Sequence, residues 1–410
     1  MKVKIKKGKA AGFVEAPPSK SMAHRLLICA GLADGISEIE GIAESQDILA
    51  TIDCLSALGA ECERMGDDAC TMRIKGAGDK IWDCDEKRVL KCRESGSTLR
   101  FFVPLCLLSG VDAELTGSGR LMERPMDVYK ELCSECGLMF VQEKDSLTVK
   151  GPLKAGTFRI AGNISSQFIS GLLLAMPLLE GASRLEIIPP VESRSYIEMT
   201  LSALKTFGIS FERPDENTIL INGGQRYRLQ RAKVEGDYSN AAFFQALDML
   251  GGGVDVGNLK ADSLQGDKVC REMLKRIGGG RPELDISDCP DLGPILFAAA
   301  AATGRGAVFT GTKRLKIKES DRGAVMAQVL DKFGVEVVME EDRIVIGGGG
   351  IKTPAEALYG YNDHRIVMSE AVLLSMTGGI IEGAEAVSKS FPDFFEKLGS
   401  LGIEVEKIED

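Results

Sequence analysis

The sequence predicts an α/β protein made of two similar domains, each containing three repeats of one α/β unit. Two observations support this prediction: amphipathic helical segments that end at spaced glycines, and a second, strongly apolar helical segment in each unit. Three units precede about residue 230 and three follow it. We therefore expect two domains, with a small-molecule site in the cleft between them.

The amphipathic helices share one ending. An apolar residue stands four positions and one position before each terminal glycine, as Leu55 and Leu58 do before Gly59, which places both on one helix face. Alternating runs such as GVEVVME follow most of these glycines and predict half-buried strands. We expect the glycines to act as C-terminal stops, and they are Gly59, Gly137, Gly208, Gly278, Gly334 and Gly402.

The second helix of each unit is apolar on nearly all sides, so it is expected to be buried inside a layer. Strands such as RLEII, AVFTG and IIEGA follow these segments. The six segments are SMAHRLLICAGLADG, STLRFFVPLCLLSG, SSQFISGLLLAMPLLEG, SNAAFFQALDMLGGG, DLGPILFAAAAATG and DHRIVMSEAVLLSMTGG.

The repeat also predicts where the two cysteines of the C-x-x-C motif, Cys133 and Cys136, lie. A redox or zinc role is the functional alternative, but both cysteines occupy the inward positions of the repeat. Free cysteine behaves as a small buried hydrophobe, so we expect both thiols in the core.

Composition excludes several classes of function. A net charge of −10 opposes nucleic-acid binding, which needs a broad basic surface. Eleven scattered cysteines fit a reducing compartment, and two histidines argue against a metal site. No apolar stretch is long enough to span a bilayer, and the basic N-terminus leads into no signal-like apolar region. We expect a cytoplasmic protein without metal or membrane segment.

The glycine clusters at 251–253, 278–280 and 347–350 are interpreted as turns. None is followed by Gly-Lys-Ser/Thr or arranged as G-x-G-x-x-G. The sequence therefore predicts no nucleotide cofactor.

Polar residues that fit no core pattern collect at predicted helix starts. Taken singly, serine and aspartate there are ordinary caps, but a cation near a helix N-terminus is unfavourable by roughly 0.3–1 kcal/mol. Convergence on a multiply charged anion would explain such cations, and separate solvated surface charges are the alternative. Lys318 and Arg322 are expected to share a helix face. The cations at or beside helix starts are Lys20, Arg124, Lys318, Arg365 and Lys389.

Ten phrases in order give the chain a resemblance to a known family over nearly its whole length. They are PPSKSMAHR, ESGSTLRFF, TGSGRLMERPM, ISSQFISGLL, VESRSYIE, GDYSNAAFF, LQGDK, IKESDRG, YNDHRIVM and KSFPDFFEKLG. The chain resembles the 3-phosphoshikimate 1-carboxyvinyltransferase (EPSP synthase) family of enolpyruvyl transferases.

The resemblance implies a two-domain inside-out αβ barrel with three βαβαββ repeats in each domain. One domain is expected to comprise residues 1–15 and 230–410, because the N-terminal strand of the family packs with the C-terminal half. Residues 16–229 form the other domain. The implied reaction transfers the enolpyruvyl group of phosphoenolpyruvate to the 5-hydroxyl of shikimate 3-phosphate and releases phosphate, in a monomer that needs no cofactor.

The resemblance also implies binding residues. Those for shikimate 3-phosphate are Ser21, Arg25, Ser165, Ser166, Gln167, Ser193, Tyr196 and Lys318. Those for phosphoenolpyruvate are Lys20, Gly96, Arg124, Arg322, Arg365 and Lys389, with Gln167 and Lys20 near both ligands.

The reaction requires an acid and a base. The methylene carbon of phosphoenolpyruvate must gain a proton while the 5-hydroxyl loses one, which gives a tetrahedral adduct that later expels phosphate. We assign the base to Asp291, which would also touch the attacking hydroxyl. Either Glu319 or Lys389 is expected to protonate the carbon, and Lys20 completes the catalytic set.

Two alternatives stay open from the sequence. One is the enolpyruvyl transferase that acts on UDP-N-acetylglucosamine, which uses a loop cysteine that the stretch from Leu108 to Arg124 lacks. The other is a non-catalytic binding protein for sugar phosphates, which would need the cations but not Asp291 together with Glu319.

Overall fold

The computed structural model describes residues 1–66, 70–78 and 86–408. Within them the α-helices are, in chain order, α1 (Lys20–Leu32), α2 (Gln46–Ala57), α3 (Gly96–Cys106), α4 (Asp127–Glu135), α5 (Ser166–Ala175), α6 (Arg194–Thr206), α7 (Tyr238–Met249), α8 (Cys270–Gly279), α9 (Gly293–Ala302), α10 (Arg322–Lys332), α11 (His364–Thr377) and α12 (Phe394–Ser400).

The strands are mostly short and follow the helices in a repeating order. They are β1 (Lys2–Ile5), β2 (Ala11–Glu15), β3 (Ile36–Glu40), β4 (Glu61–Met65), β5 (Thr71–Lys75), β6 (Arg88–Lys91), β7 (Ala113–Thr116), β8 (Met139–Gln142), β9 (Ser146–Lys150), β10 (Thr157–Ala161), β11 (Ala182–Ile188), β12 (Glu212–Asp215), β13 (Thr218–Asn222), β14 (Arg231–Lys233), β15 (Gly253–Gly257), β16 (Glu283–Asp285), β17 (Ala307–Thr310), β18 (Val337–Met339), β19 (Arg343–Ile346), β20 (Leu358–Tyr359), β21 (Gly379–Glu382) and β22 (Val405–Ile408).

Contacts within the chain form two compact units. The 236–410 unit consists of Met1–Pro17 and Gly236–Asp410, and the 18–235 unit consists of Pro18–Glu235. The chain start belongs to the former because β1 pairs with β21 and β22, and β2 pairs with β15. Near residue 235 the chain passes back to the 236–410 unit. Just before this point, β14 pairs in parallel with β3 and so belongs to the 18–235 unit.

Mixed four-stranded sheets recur in both units. In the sheet β10-β11-β13-β12, the first pair is parallel and the next two pairs are antiparallel. The same pattern occurs in β14-β3-β5-β4, β6-β7-β9-β8, β16-β17-β19-β18 and β20-β21-β1-β22. A shared strand pattern confirms the α/β repeat predicted from the sequence.

Helices lie inside each unit and sheets lie outside. α9 is buried from Gly293 to Ala301, and α11 is buried from His364 to Ser375. β11 instead alternates between buried and more exposed residues, as expected for a strand with one solvated face. The apolar segments predicted as buried helices therefore lie in the cores of the two units.

The glycine stops are confirmed at most of the predicted positions. Gly59, Gly137, Gly208, Gly334 and Gly402 all have positive φ, which glycine adopts without steric cost. In the first of them, the N–H of Ala60 donates to the carbonyl of Leu55, the apolar residue four positions before the glycine.

Two details of the repeat prediction are wrong. Gly278 does not stop its helix, because α8 continues to Gly279 and the residue that caps it is Gly280, where the backbone is extended. Cys133 is buried as predicted, but Cys136 is exposed, because α4 ends at Glu135 and Cys136 lies at the cap.

Candidate active site

Three helix starts in the 18–235 unit carry predicted ligand-binding residues. Lys20 is the first residue of α1, Gly96 is the first residue of α3, and Gln167 is the second residue of α5. A serine caps each helix and accepts a hydrogen bond from a backbone N–H of the first turn. The remaining N–H groups of these first turns give each helix start a partial positive charge.

Lys20 has an acidic partner. Its Nζ lies 2.8 Å from Oδ2 of Asp47, and both side chains are mostly buried. Asp47 stands in the first turn of α2, where a negative charge is favourable. An anion from the protein itself therefore offsets the unfavourable position of Lys20, and the charge at this helix start does not by itself require a ligand.

Gly96, Arg124 and Gln167 lie together. A Cβ added to Gly96 would be 2.6 Å from Nη1 of Arg124 and 3.7 Å from Oε1 of Gln167. Nε2 of Gln167 donates to Oγ of Ser97 at 2.9 Å. Nη1 of Arg100 donates to Oε1 of Gln167 at 2.7 Å. Glycine thus leaves room at the start of α3 for the guanidinium of Arg124 to approach.

Arg25 ties α1 to α6 in the interior of the same unit. Its guanidinium is almost fully buried, and Nη1 donates to the carbonyl of Ser21 at 2.6 Å. Nη2 donates to the carbonyl of Tyr196 at 3.0 Å, and Nε donates to Oγ1 of Thr200 at 2.8 Å. These bonds bring Ser21, Arg25 and Tyr196 together and give Arg25 partners within the protein.

The predicted serines also stand at helix starts. Ser165 caps α5, and Ser166 is the first residue of that helix and is buried. Ser193 precedes α6 with φ 55° and ψ 40°, a left-handed conformation that is uncommon for a residue other than glycine. Such strain is retained most often at functional sites, which supports the assignment of Ser193.

Asp291 is the centre of a charged cluster in the 236–410 unit. Its Oδ1 lies 3.0 Å from Nζ of Lys318 and 2.8 Å from Nη1 of Arg322. Nη2 of Arg365 lies 3.7 Å from Oδ2. A 3-10 helix, Pro290–Leu292, positions this carboxylate immediately before the buried α9.

Three carboxylates surround the guanidinium of Arg322, which is 1% exposed. Besides the bond to Asp291, Nη2 lies 2.6 Å from Oε2 of Glu319. Nε and Nη2 both donate to Asp363, at 2.8 and 3.1 Å. The two carboxylates predicted as catalytic are therefore held by one guanidinium.

The charges of this cluster shift the pKa of its members. Burial would raise the pKa of Asp291, but the neighbouring cations, Lys318 first, outweigh burial and hold that pKa well below its ordinary value. Burial lowers the pKa of Lys318, and attraction to Asp291 offsets this only in part. Burial opposes the charged form of Arg322, yet its carboxylates, Asp363 foremost, raise its pKa.

Lys389 contacts the backbone next to Asp363, one of the carboxylates around Arg322. Its Nζ donates to the carbonyl of Asn362 at 2.7 Å. Tyr361 and Asn362 both have positive φ, and Asp363 caps α11 directly after them. A strained loop thus connects Lys389 to the carboxylate that holds Arg322.

Two local predictions about these cations are wrong. Lys318 and Arg322 share no helix, because Lys318 is extended and α10 begins only at Arg322, although both reach Asp291. Lys389 does not lie at a helix start. It ends the 3-10 helix Ala384–Lys389, where a cation is favourable, and α12 begins later, after Pro392.

The structure adds three residues that the sequence prediction left outside the site. Asp47 pairs with Lys20, Arg100 holds Gln167, and Asp363 holds Arg322. Asp47 and Asp363 stand at helix starts, so capping alone explained them in the sequence. Their charged partners are far away along the chain and give no local signal.

Neither a metal site nor a membrane segment is found in the described ranges. Residues 1–66, 70–78 and 86–408 contain no group of three or more histidine, cysteine, aspartate or glutamate side chains that could hold a metal ion. Among their helices, none combines the length and the hydropathy needed to cross a bilayer.

Helices inside and mixed sheets outside, repeated through both units, give the chain the fold of the enolpyruvyl transferases. The chain is similar over its whole length to a solved structure of EPSP synthase from Acinetobacter baumannii. The TM-score is 0.78 at 26% identity, and the match covers 99% of this chain and 100% of that chain. This similarity confirms the predicted two-domain inside-out αβ fold.

The chain belongs to the EPSP synthase (3-phosphoshikimate 1-carboxyvinyltransferase) family, whose sequence profile matches residues 5–398. It is 38% identical over 422 residues to a 3-phosphoshikimate 1-carboxyvinyltransferase from Clostridium beijerinckii, covering 98% of this chain and 97% of that protein. It is 40% identical over 424 residues to one from Clostridium acetobutylicum, covering 99% and 98%. The family resemblance predicted from the sequence is thereby confirmed.

Proposed function

We propose that this chain transfers the enolpyruvyl group of phosphoenolpyruvate to the 5-hydroxyl of shikimate 3-phosphate, releasing phosphate. The observation that carries the proposal is the pairing of Asp291 and Glu319 on the guanidinium of Arg322, at 2.8 and 2.6 Å. A binding protein for sugar phosphates would need the cations but not two carboxylates held on one guanidinium.

Asp291 acts as the base. The carboxylate is ionised at neutral pH, but the cations that lower its pKa also weaken it as a base, so it takes the proton of the 5-hydroxyl as the oxygen attacks and not before. The oxygen then bonds to the second carbon of phosphoenolpyruvate while the methylene carbon gains a proton from Lys389 or from the protonated form of Glu319. Loss of a proton from the resulting methyl group accompanies departure of phosphate and restores the double bond.

The 18–235 unit contributes anion binding. The start of α3 at Gly96 and the guanidinium of Arg124 lie together, and the backbone N–H of the one and the N–H groups of the other are donors suited to phosphate or carboxylate. Ser165, Ser166 and Ser193 supply hydroxyl and backbone donors at the starts of α5 and α6.

We propose further that the two units are the two domains of the enzyme and that they close over the substrates. Closure would exclude water and align the reacting atoms, an effect that can contribute about 7–11 kcal/mol to lowering the barrier. The proposal also includes a cytoplasmic monomer. Free thiols at each of the cysteines that the structure describes support a reducing compartment.

The test is phosphate release from the purified chain. We expect release with phosphoenolpyruvate and shikimate 3-phosphate together, and none with either substrate alone. Mass spectrometry of the mixture should show the enolpyruvyl ether as the second product. Absence of phosphate with both substrates would refute the proposal and favour a binding protein.

Replacing shikimate 3-phosphate by UDP-N-acetylglucosamine tests the other enolpyruvyl transferase activity. We expect no phosphate, since Leu108 to Arg124 contains no cysteine. Size-exclusion chromatography with light scattering tests whether the chain is a monomer, for which the expected mass is 44.0 kDa.

A further inference from the structure

The side-chain amide of Gln167 is held in one orientation. Arg100 donates to its oxygen from Nη1 at 2.7 Å. On the opposite side of the amide, Nε2 donates to Oγ of Ser97 at 2.9 Å. A guanidinium has donors and no acceptor, so the atom that faces Arg100 must be the amide oxygen.

This orientation matters beside an anion. If the amide turned over, its oxygen would replace the NH2 group beside Ser97, and its NH2 group would face the guanidinium of Arg100, donor against donor. With the oxygen on Arg100, the amide presents N–H groups instead. Among the described hydrogen bonds Nε2 makes one, to Ser97, and an amide nitrogen carries two hydrogens.

Arg100 also holds the segment that carries Arg124. Its Nη2 donates to the carbonyl of Pro125 at 3.1 Å, one residue after Arg124. The guanidinium lies over the ring of Phe168, 4.8 Å from its centroid, and the side chain is almost fully buried. One planar group therefore fixes the start of α5 and the turn before α4 in relation to α3.

We propose that Arg100 is a positioning residue for the transfer reaction: by holding the oxygen of Gln167 and the carbonyl of Pro125, it turns the Gln167 amide N–H and the Arg124 guanidinium toward the anionic substrate. The inference rests on the proposed function, with the anionic substrate being phosphoenolpyruvate.

Packing alone does not require this guanidinium. The hydroxyl of Tyr129 already joins α3 to α5, because it contacts the carbonyl oxygens of Arg100 and Phe168 at 2.8 and 2.9 Å. Tyr129 is fully buried and does not touch the amide of Gln167 in any described contact. The substitution Tyr129→Phe is therefore a matched control that weakens the same helix pair without releasing the amide.

A double-mutant cycle tests the inference. The variants are Arg100→Met, Gln167→Ala and both together, and the measured quantities are the KM for phosphoenolpyruvate, kcat, and the dissociation constant for phosphoenolpyruvate alone by equilibrium dialysis. Each single substitution should weaken the binding of phosphoenolpyruvate about ten- to a hundredfold, which is the range expected for the loss of one charged hydrogen bond. The loss of affinity in the double variant should be smaller than the product of the two single losses, because Arg100 acts partly through Gln167.

Arg100→Lys should recover only part of the affinity, because an ammonium cannot span both acceptors as a planar guanidinium does. Tyr129→Phe should lower the midpoint of thermal unfolding and leave the KM unchanged. Multiplication of the two single effects in the double variant would overturn the inference, as would a rise in KM for Tyr129→Phe equal to that for Arg100→Met. Phosphate release by the unsubstituted chain tests the proposed function separately, and the dialysis cycle needs no turnover.

Discussion

The charged groups of the two units are arranged differently. In the 236–410 unit, Asp291, Glu319 and Asp363 share one guanidinium, that of Arg322, so each charge is compensated by a neighbour. In the 18–235 unit, the buried guanidinium groups of Arg25 and Arg100 are instead held by neutral acceptors, such as the carbonyl of Ser21 and the amide of Gln167. The former arrangement is suited to moving protons, and the latter is suited to receiving an anion.

If this division is correct, removing one carboxylate from the 236–410 unit should mainly slow the reaction. Asp291→Asn keeps the shape of the side chain but removes the base, so kcat should fall about 10²–10⁴-fold. The measurement is the rate of phosphate release at saturating concentrations of both substrates. Asp331→Asn, at an exposed position in the last turn of α10, is the control and should retain the rate.

Glu319→Gln separates the two candidates for the acid. If Glu319 protonates the methylene carbon, kcat should fall by a similar factor of about 10²–10⁴. If Glu319→Gln kept the full rate, Lys389 would be the acid.

Full-rate phosphate release by Asp291→Asn would remove Asp291 from the mechanism.

A substitution in the 18–235 unit should mainly weaken binding. In Gly96→Ala the new methyl group would stand 2.6 Å from Nη1 of Arg124 and displace the guanidinium. We expect the KM for phosphoenolpyruvate to rise about tenfold, equivalent to about 1.4 kcal/mol, with a smaller change in kcat.

Gly156→Ala is the control for Gly96→Ala. An added Cβ at Gly156 meets nothing within 4 Å, so the KM should stay unchanged. If Gly96→Ala lowered kcat and left the KM unchanged, anion binding would not be the task of this cluster, and the contrast between the units would fail.

The sequence predicts more of the fold than of the site because the two depend on different ranges along the chain. Apolar periodicity is local, and it identified the buried helices, including α9 and α11. The bond from Arg322 to Asp363 spans 41 residues, and the bond from Arg100 to Gln167 spans 67. No local pattern specifies such pairs, so the sequence named helix starts where charges collect but not which charges neutralise each other.

One buried carboxyl has no compensating neighbour of the kind that surrounds Arg322. Glu370 lies in α11 at 0% exposure, and neither of its oxygens has a hydrogen-bond partner among the described residues. Burial raises its pKa well above the ordinary value, and Lys332 opposes this only weakly. The folded chain therefore keeps Glu370 protonated at a pH where the unfolded chain ionises it.

The sign of the effect on stability follows from this difference. The contribution of Glu370 to the free energy of unfolding is complete below the pKa that this carboxyl has in the unfolded chain. As pH rises from there toward its pKa in the folded chain, this contribution is lost by up to about 1.4 kcal/mol per pH unit. Glu370→Gln removes this loss. The midpoint of thermal unfolding of Glu370→Gln should therefore rise relative to the unsubstituted chain between pH 5 and pH 7.

Glu356→Gln, at an exposed position, is the control and should show no such trend. An equal difference in midpoint between Glu370→Gln and the unsubstituted chain at both pH values would show that Glu370 does not titrate differently in the folded state.

Two glycine substitutions, one in each unit, compare the helix ends of the repeats. Gly137, in the 18–235 unit, has φ +67°, and an added Cβ there meets nothing within 4 Å. Gly137→Ala should destabilise the chain by about 1–2 kcal/mol, because alanine disfavours the left-handed region.

Gly279, at the end of α8 in the 236–410 unit, has equal space for an added Cβ but no positive φ. Gly279→Ala should stabilise by about 0.5–1 kcal/mol, since alanine favours the helix. Thermal unfolding midpoints that shift in the same direction would show that the two helix ends do not differ in backbone conformation.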